Sequence, residues 1–169
     1  MSKDKYVAYV GTYTHGSSIG IHVYDLDVEN GYMTEREVVP VNNASHVAKS
    51  NNGKYLYSIA DEGVEVLKIK EDGGLEPINK VGIDGMRGCF LSTDKEGKFL
   101  FVCGYHDGKI TVLKLDPETG KIGQITDEVF HKGMGSVAER NFRPHVQCVK
   151  MTRDNRFLCA ADLGLDHTN

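Results

Sequence analysis

The sequence lacks most of the features that would direct it to a membrane, a metal or a nucleotide. It has no stretch of about 18 apolar residues, so no membrane-crossing helix can be drawn. The opening Met1-Ser-Lys-Asp-Lys runs directly into a strand pattern, without the apolar centre of a secretion signal, and a cytoplasmic protein is expected. The four cysteines, Cys89, Cys103, Cys148 and Cys159, form no C-x-x-C pair, which removes the zinc-ribbon and thioredoxin readings. All four lie in or beside apolar runs, where a reduced cysteine serves as a small buried hydrophobe. The histidines are scattered, with no H-x-H or H-x-x-x-H pair beside a carboxylate, so no metal is expected. There is no Walker sequence and no G-x-G-x-x-G between a strand and a helix; Gly133-Met-Gly135 reads as a flexible loop, and no cofactor is expected.

An excess of charge is also missing. Twenty Lys and Arg face 24 Asp and Glu, a formal net charge of -4. That balance gives no general reason to bind nucleic acid or an anionic membrane, though a local basic pocket for one small anion remains open. Proline is scarce, 4 residues against 19 glycines, which marks a turn-rich chain. With 40% hydrophobic and 26% charged residues, the 169-residue chain suits a single globular domain.

What the sequence does contain is a repeat. DKYVAYV from Asp4, GKYLYSI from Gly53, GKFLFVC from Gly97 and NRFLCAA from Asn155 share a turn residue, a Lys or Arg, an aromatic and an apolar run. Their starts are separated by 49, 44 and 58 residues. Periods of about 40–50 residues with strand-type composition indicate propeller blades. A short apolar segment precedes the second, third and fourth markers, from Ser45, Gly88 and His145. A strand of alternating polarity follows the first three, from Gly20, Gly63 and Lys109, each ending in an acidic, Gly-bearing turn. An outer strand comes next, from Thr34, Leu75 and Ile122. No window of 11 or more residues shows a helical stripe. The expected fold is all-β: a partial β-propeller over residues 1–169 with thirteen strands in two full and two partial blades. Open blade edges at both ends point to a fragment of a larger ring and to self-association through those edges.

Several segments together resemble the 6-phosphogluconolactonase family of seven-bladed propellers, the bacterial lactonase type. They are YVGTYT from Tyr9 with GIHVYDLD from Gly20, GYHDGKITVLKLD from Gly104, HKGMGSVAERNFRPHVQCV from His131, and DLGLD from Asp162. The resemblance spans the whole chain but only about the N-terminal half of a family member. It implies hydrolysis of 6-phosphogluconolactone in the oxidative pentose phosphate route, with a phosphorylated sugar lactone as the small-molecule partner, and the fragment itself is expected to be poorly active. A related propeller group acts on muconate-type lactones, and a non-catalytic scaffold presenting a protein-binding rim is the reading from a different class.

The candidate site follows from the repeat. The longest departure from the period is the insertion before the fourth inner strand, which delivers Arg140, Pro144 and His145 to the ring. Length changes between repeats map to loops on one face, often the binding face. A phosphate or oxyanion suits the planar guanidinium of Arg140, with Arg143 a weaker rival. His145 suits a base or an oxyanion donor. Family members often carry a second His where Gln147 stands, and Gln can hydrogen-bond but not take a proton. Tyr105 is either a hydrogen-bonding residue at the channel mouth or a packed aromatic. Asp162 and Asp166 either orient a His or Arg or close the turn at Gly164. His46 is placed at the channel. His15, His22, His131 and His167 have no supporting context.

Overall fold

The structure, a computed structural model, describes residues 6–136 and 141–165 and the backbone of 167–168. Fourteen strands and no helix are formed by the described residues. The first sheet holds β1 (Tyr6–Gly11), β2 (Gly20–Asp27) and β3 (Tyr32–Pro40). The second holds β4 (Val47–Lys49), β5 (Tyr55–Ala60), β6 (Gly63–Ile69) and β7 (Leu75–Gly82). The third holds β8 (Phe90–Thr93), β9 (Phe99–Gly104), β10 (Lys109–Leu115) and β11 (Ile122–Phe130). The fourth holds β12 (Val146–Met151), β13 (Leu158–Asp162) and β14 (His167–Thr168). Every sheet is an antiparallel meander in sequence order, and β14 is the strand beyond the expected thirteen. No helix among the described residues is long and apolar enough to cross a membrane.

The marker runs are apolar on both faces because each central sheet has a neighbour on either side. All six residues of β5 are buried. Leu56 and Ala60 pack toward the first sheet with Ile21 and Val23, whereas Tyr55, Tyr57 and Ile59 pack toward the third with Leu100 and Val102. A third apolar layer, including Phe101, Cys103, Val146 and Val149, joins the third and fourth sheets. Each layer is one sheet-to-sheet boundary, so burial stabilises the stack rather than any isolated blade.

The markers follow tight turns with matching hydrogen bonds: Ser50 N–H to Tyr55 O at 2.8 Å, Asp94 N–H to Phe99 O at 3.2 Å and Thr152 N–H to Phe157 O at 2.8 Å. Gly53, Gly97 and Asn155 hold the left-handed position in these turns, at φ 74°, 69° and 60°. Asn is among the few residues with a side chain that adopt it readily.

Strand register corrects one repeat alignment. Tyr9 pairs with Val23 as Tyr57 pairs with Val66, so the first marker is shifted by one residue and Val7, not Tyr6, corresponds to Tyr55. The hydroxyls agree: Tyr9 donates to Gly73 O at 2.7 Å and Tyr57 to Gly120 O at 3.2 Å, each reaching the turn of the next sheet. A second correction concerns the cysteines. All four are free thiols, but only Cys103 is fully buried and Cys159 is exposed. Alternation along β13 turns Leu158 and Ala160 toward the third sheet and Cys159 away from it.

Candidate functional site

The loops between β5 and β6, β9 and β10, and β13 and β14 share one face with the crossovers that lead into inner strands β4, β8 and β12. Hydrogen bonds between successive sheets fix their side chains on this face, which forms the mouth of the channel side.

His145, buried at the start of β12, is held from three directions. Its Nδ1 lies 2.7 Å from the carbonyl oxygen of Tyr105, and the two rings stack at 4.3 Å with 15° between their planes. A carbonyl only accepts, so Nδ1 carries the proton and Nε2 is left as the basic nitrogen. The backbone N–H of His145 donates to Asp162 Oδ1 at 2.8 Å. The Tyr105 side chain is thus a packed aromatic, and the bond to His145 is made by its backbone carbonyl.

Asp162, expected either to orient a His or Arg or to close the turn at Gly164, does both with a fully enclosed side chain. Its Oδ1 accepts from Gly164 N–H at 2.9 Å and Leu165 N–H at 3.1 Å, closing the turn, as well as from His145. Its Oδ2 accepts from His131 Nδ1 at 2.7 Å. Burial pushes the Asp162 carboxyl up, but the donors from His145, His131, Leu165 and Gly164 together hold it below its ordinary value. Asp162 thus positions His145. Gly164 permits the close approach, since a Cβ there would lie 1.8 Å from Arg143 O.

The remaining candidates are more dispersed. Arg140 and Asp166 lie outside the described residues. Arg143 is exposed. Gln147 is exposed on β12, two residues beyond His145. His46 is half-buried between the second and third sheets, with its ring 4.2 Å from that of Phe90 and its Nδ1 accepting Leu91 N–H at 3.3 Å. Burial holds its pKa below the ordinary histidine value. It serves an inter-sheet packing role, and the structure does not bring it into contact with His145.

Sequence reasoning missed two histidine networks. His131 is the partner of Asp162, 31 residues away in sequence. His22 bridges Ser18 Oγ at 2.7 Å and Glu35 Oε2 at 2.6 Å in the first sheet. No local pattern announces either network. It also missed Arg87, whose Nη1 donates to Asp61 at 3.0 Å with the guanidinium 5.2 Å from the Tyr13 ring centroid. No group of three or more His, Cys, Asp or Glu among the described residues is arranged to hold a metal ion.

Stacked antiparallel meanders of three or four strands, with the inner-strand leads gathered on one face, define part of a β-propeller. The chain belongs to the Lactonase family, 7-bladed beta-propeller, whose profile matches residues 7–168.

Relatives narrow the likeness. The 6-phosphogluconolactonase of Bacillus subtilis (strain 168) is 35% identical over 168 residues, covering 96% of this chain and 48% of the relative. A Formosa agariphila protein named 6-phosphogluconolactonase is 32% identical, covering 94% of this chain and 47% of its own length. Among solved structures, a Bacteroides fragilis protein described as a candidate 6-phosphogluconolactonase superposes with a TM-score of 0.90 at 32% identity, over 99% of this chain and 49% of that one. The Pseudomonas aeruginosa periplasmic gluconolactonase PpgL gives a TM-score of 0.88 at 26% identity, over 97% and 48%. The chain spans about half the length of the curated relatives it matches.

Proposed function

We propose that this chain carries part of the site of a carbohydrate lactonase that hydrolyses 6-phosphogluconolactone to 6-phosphogluconate, with His145 as the general base. The observation that carries this reading is the 2.7 Å bond from His145 Nδ1 to the Tyr105 carbonyl, which leaves Nε2 able to take a proton. The names of the Bacillus subtilis and Formosa agariphila relatives support the substrate.

In this reading Nε2 removes a proton from water as the water oxygen bonds to the lactone carbonyl carbon. The carbonyl electron pair moves onto oxygen, and the resulting oxyanion is held by a guanidinium, the role assigned to Arg140. Collapse of the tetrahedral intermediate breaks the bond from carbon to the ring oxygen. The proton on Nε2 passes to that oxygen, which completes the acid and restores the base. Gln147 and Tyr105 supply hydrogen bonds to the sugar, and Asp162 holds His145 in place. The oxidative pentose phosphate route is the proposed setting. The four free thiols support a reducing, cytoplasmic location.

The test is the rate of 6-phosphogluconolactone hydrolysis by the chain and by its His145→Ala and Arg140→Ala variants, above the spontaneous rate. Unchanged rates in both variants would end the assignment.

A further inference from the structure

The turns that share a hydrogen-bond pattern set a common origin for three inner strands. Counting back the same number of residues from Ser50, Asp94 and Thr152 gives Asn43, Arg87 and His145. Strand register agrees nearest the turns, since Val47 faces Ser58 as Leu91 faces Val102 and Val149 faces Ala160, and a bulge between Val146 and Cys148 then shifts it by one residue before His145. The three residues therefore lie within one register position of each other at the same end of the second, third and fourth sheets. Arg87 and His145 also reach back to corresponding positions in the sheet before. Arg87 bonds Asp61, the residue after β5, and His145 bonds Tyr105, the residue after β9.

Arg87 thus leads into the inner strand of the third sheet as the proposed base leads into that of the fourth, and it is held rigidly. Asn43 Nδ2 donates to both Asp61 oxygens, at 2.7 and 2.9 Å, and Thr14 N–H donates to Asn43 Oδ1 at 2.8 Å. The amide of Asn43 and then the guanidinium of Arg87 keep the Asp61 carboxyl below its ordinary value, so it remains a counter-charge. Only Nη1 of Arg87 has a hydrogen-bond partner among the described residues. The side chain is 31% exposed, with Tyr13 against the guanidinium. That leaves the Nε–Nη2 edge, two parallel N–H groups at the spacing of two phosphate oxygens.

We infer that Arg87 is the anion station of this mouth and receives the phosphate of a ligand whose reacting end lies at His145. Packed sheets stand about 10 Å apart. A six-carbon sugar acid with its carboxyl at one end and a phosphate at the other spans a distance of the same order. Arg87 is a specificity residue and takes no part in bond making. The inference rests on the lactonase reading only for the identity of the ligand.

Isothermal titration of the chain with 6-phosphogluconate and with gluconate tests it, because the two differ only in the phosphate. The phosphorylated acid is expected to bind at least about tenfold more tightly, the effect of a charge-assisted bidentate pair. Arg87→Gln removes that preference and leaves gluconate binding unchanged, while Arg87→Lys, a point charge without the fork, keeps part of it. No binding of 6-phosphogluconate, or a full preference in Arg87→Gln, overturns the inference. If Arg87→Gln does not fold, phenylglyoxal labelling of the unaltered chain decides: 6-phosphogluconate shields Arg87 but not Arg153, and equal labelling of both overturns it. A preference that depends on Arg87 in a chain without His145-dependent hydrolysis sinks the lactonase reading alone. His145-dependent hydrolysis with the preference intact in Arg87→Gln sinks this inference alone.

Discussion

His145 and Tyr105 belong to adjacent sheets, yet they share a stacked ring pair and a 2.7 Å bond from Nδ1 to a carbonyl oxygen. The bond fixes the tautomer and the stack fixes the ring plane. His145→Ala should lower the turnover number for 6-phosphogluconolactone by about 10²–10⁴, the usual range for loss of a general base. Tyr105→Ala keeps the carbonyl and loses the stack and the hydroxyl proposed to bond the sugar, so its effect on the turnover number should be smaller. Initial rates, with melting temperatures as a control for folding, check both.

Asp162→Asn should destabilise the fold by about 2 kcal/mol at neutral pH, in the range for hydrogen bonds to a buried charge. The sign with pH follows from the depressed carboxyl. A group held below its ordinary value stabilises the fold above the carboxylate range and loses that contribution as pH falls through its folded value. Urea titrations should therefore show the unaltered chain losing stability below about pH 4 faster than Asp162→Asn does. Parallel acid profiles would count against an ionised Asp162.

Gly120 and Gly31 both adopt left-handed backbone, at φ 71° and 74°, in corresponding turns. A Cβ at Gly31 meets open space, whereas one at Gly120 would lie 2.5 Å from the Tyr55 ring in the preceding sheet. Gly31→Ala should cost about 1–2 kcal/mol, the left-handed penalty alone. Gly120→Ala should cost clearly more, because it also forces the second and third sheets apart. Equal losses in chemical denaturation would show that the turn does not crowd its neighbour.

The four thiols should react with a thiol-exchange reagent in order of exposure. Cys159 reacts first, Cys89 and Cys148 more slowly, and Cys103 only after unfolding. Mass mapping of alkylated peptides over time reads the order directly.

The sheets were legible in the sequence because their signals are local. A Gly or Asn before Lys or Arg and an aromatic marks a turn entering a buried strand, and alternation marks its partner. The one-residue offset of the first marker was not legible, because Tyr6 and Tyr9 are equally acceptable aromatics and only cross-strand pairing with Val23 separates them. The site was readable where an insertion interrupted the period, which singled out His145. The roles of His131 and Arg87 depend on partners 31 and 26 residues away across sheet boundaries, a relationship that spacing along the chain does not encode. Asp162 was recognised as chemically notable, but its burial depends on the turn folding back over the His145 backbone.

Two of the stations at this mouth lean on the preceding sheet, Arg87 on Asp61 and His145 on Tyr105. The working unit at the rim is therefore a junction rather than a blade. Transplanting one repeat between homologues would carry a side chain without its support, and would leave the donor's next junction unsupported as well. Chimeras cut within a sheet, so that a trailing loop travels with the following inner strand, should keep specificity intact where cuts between sheets do not.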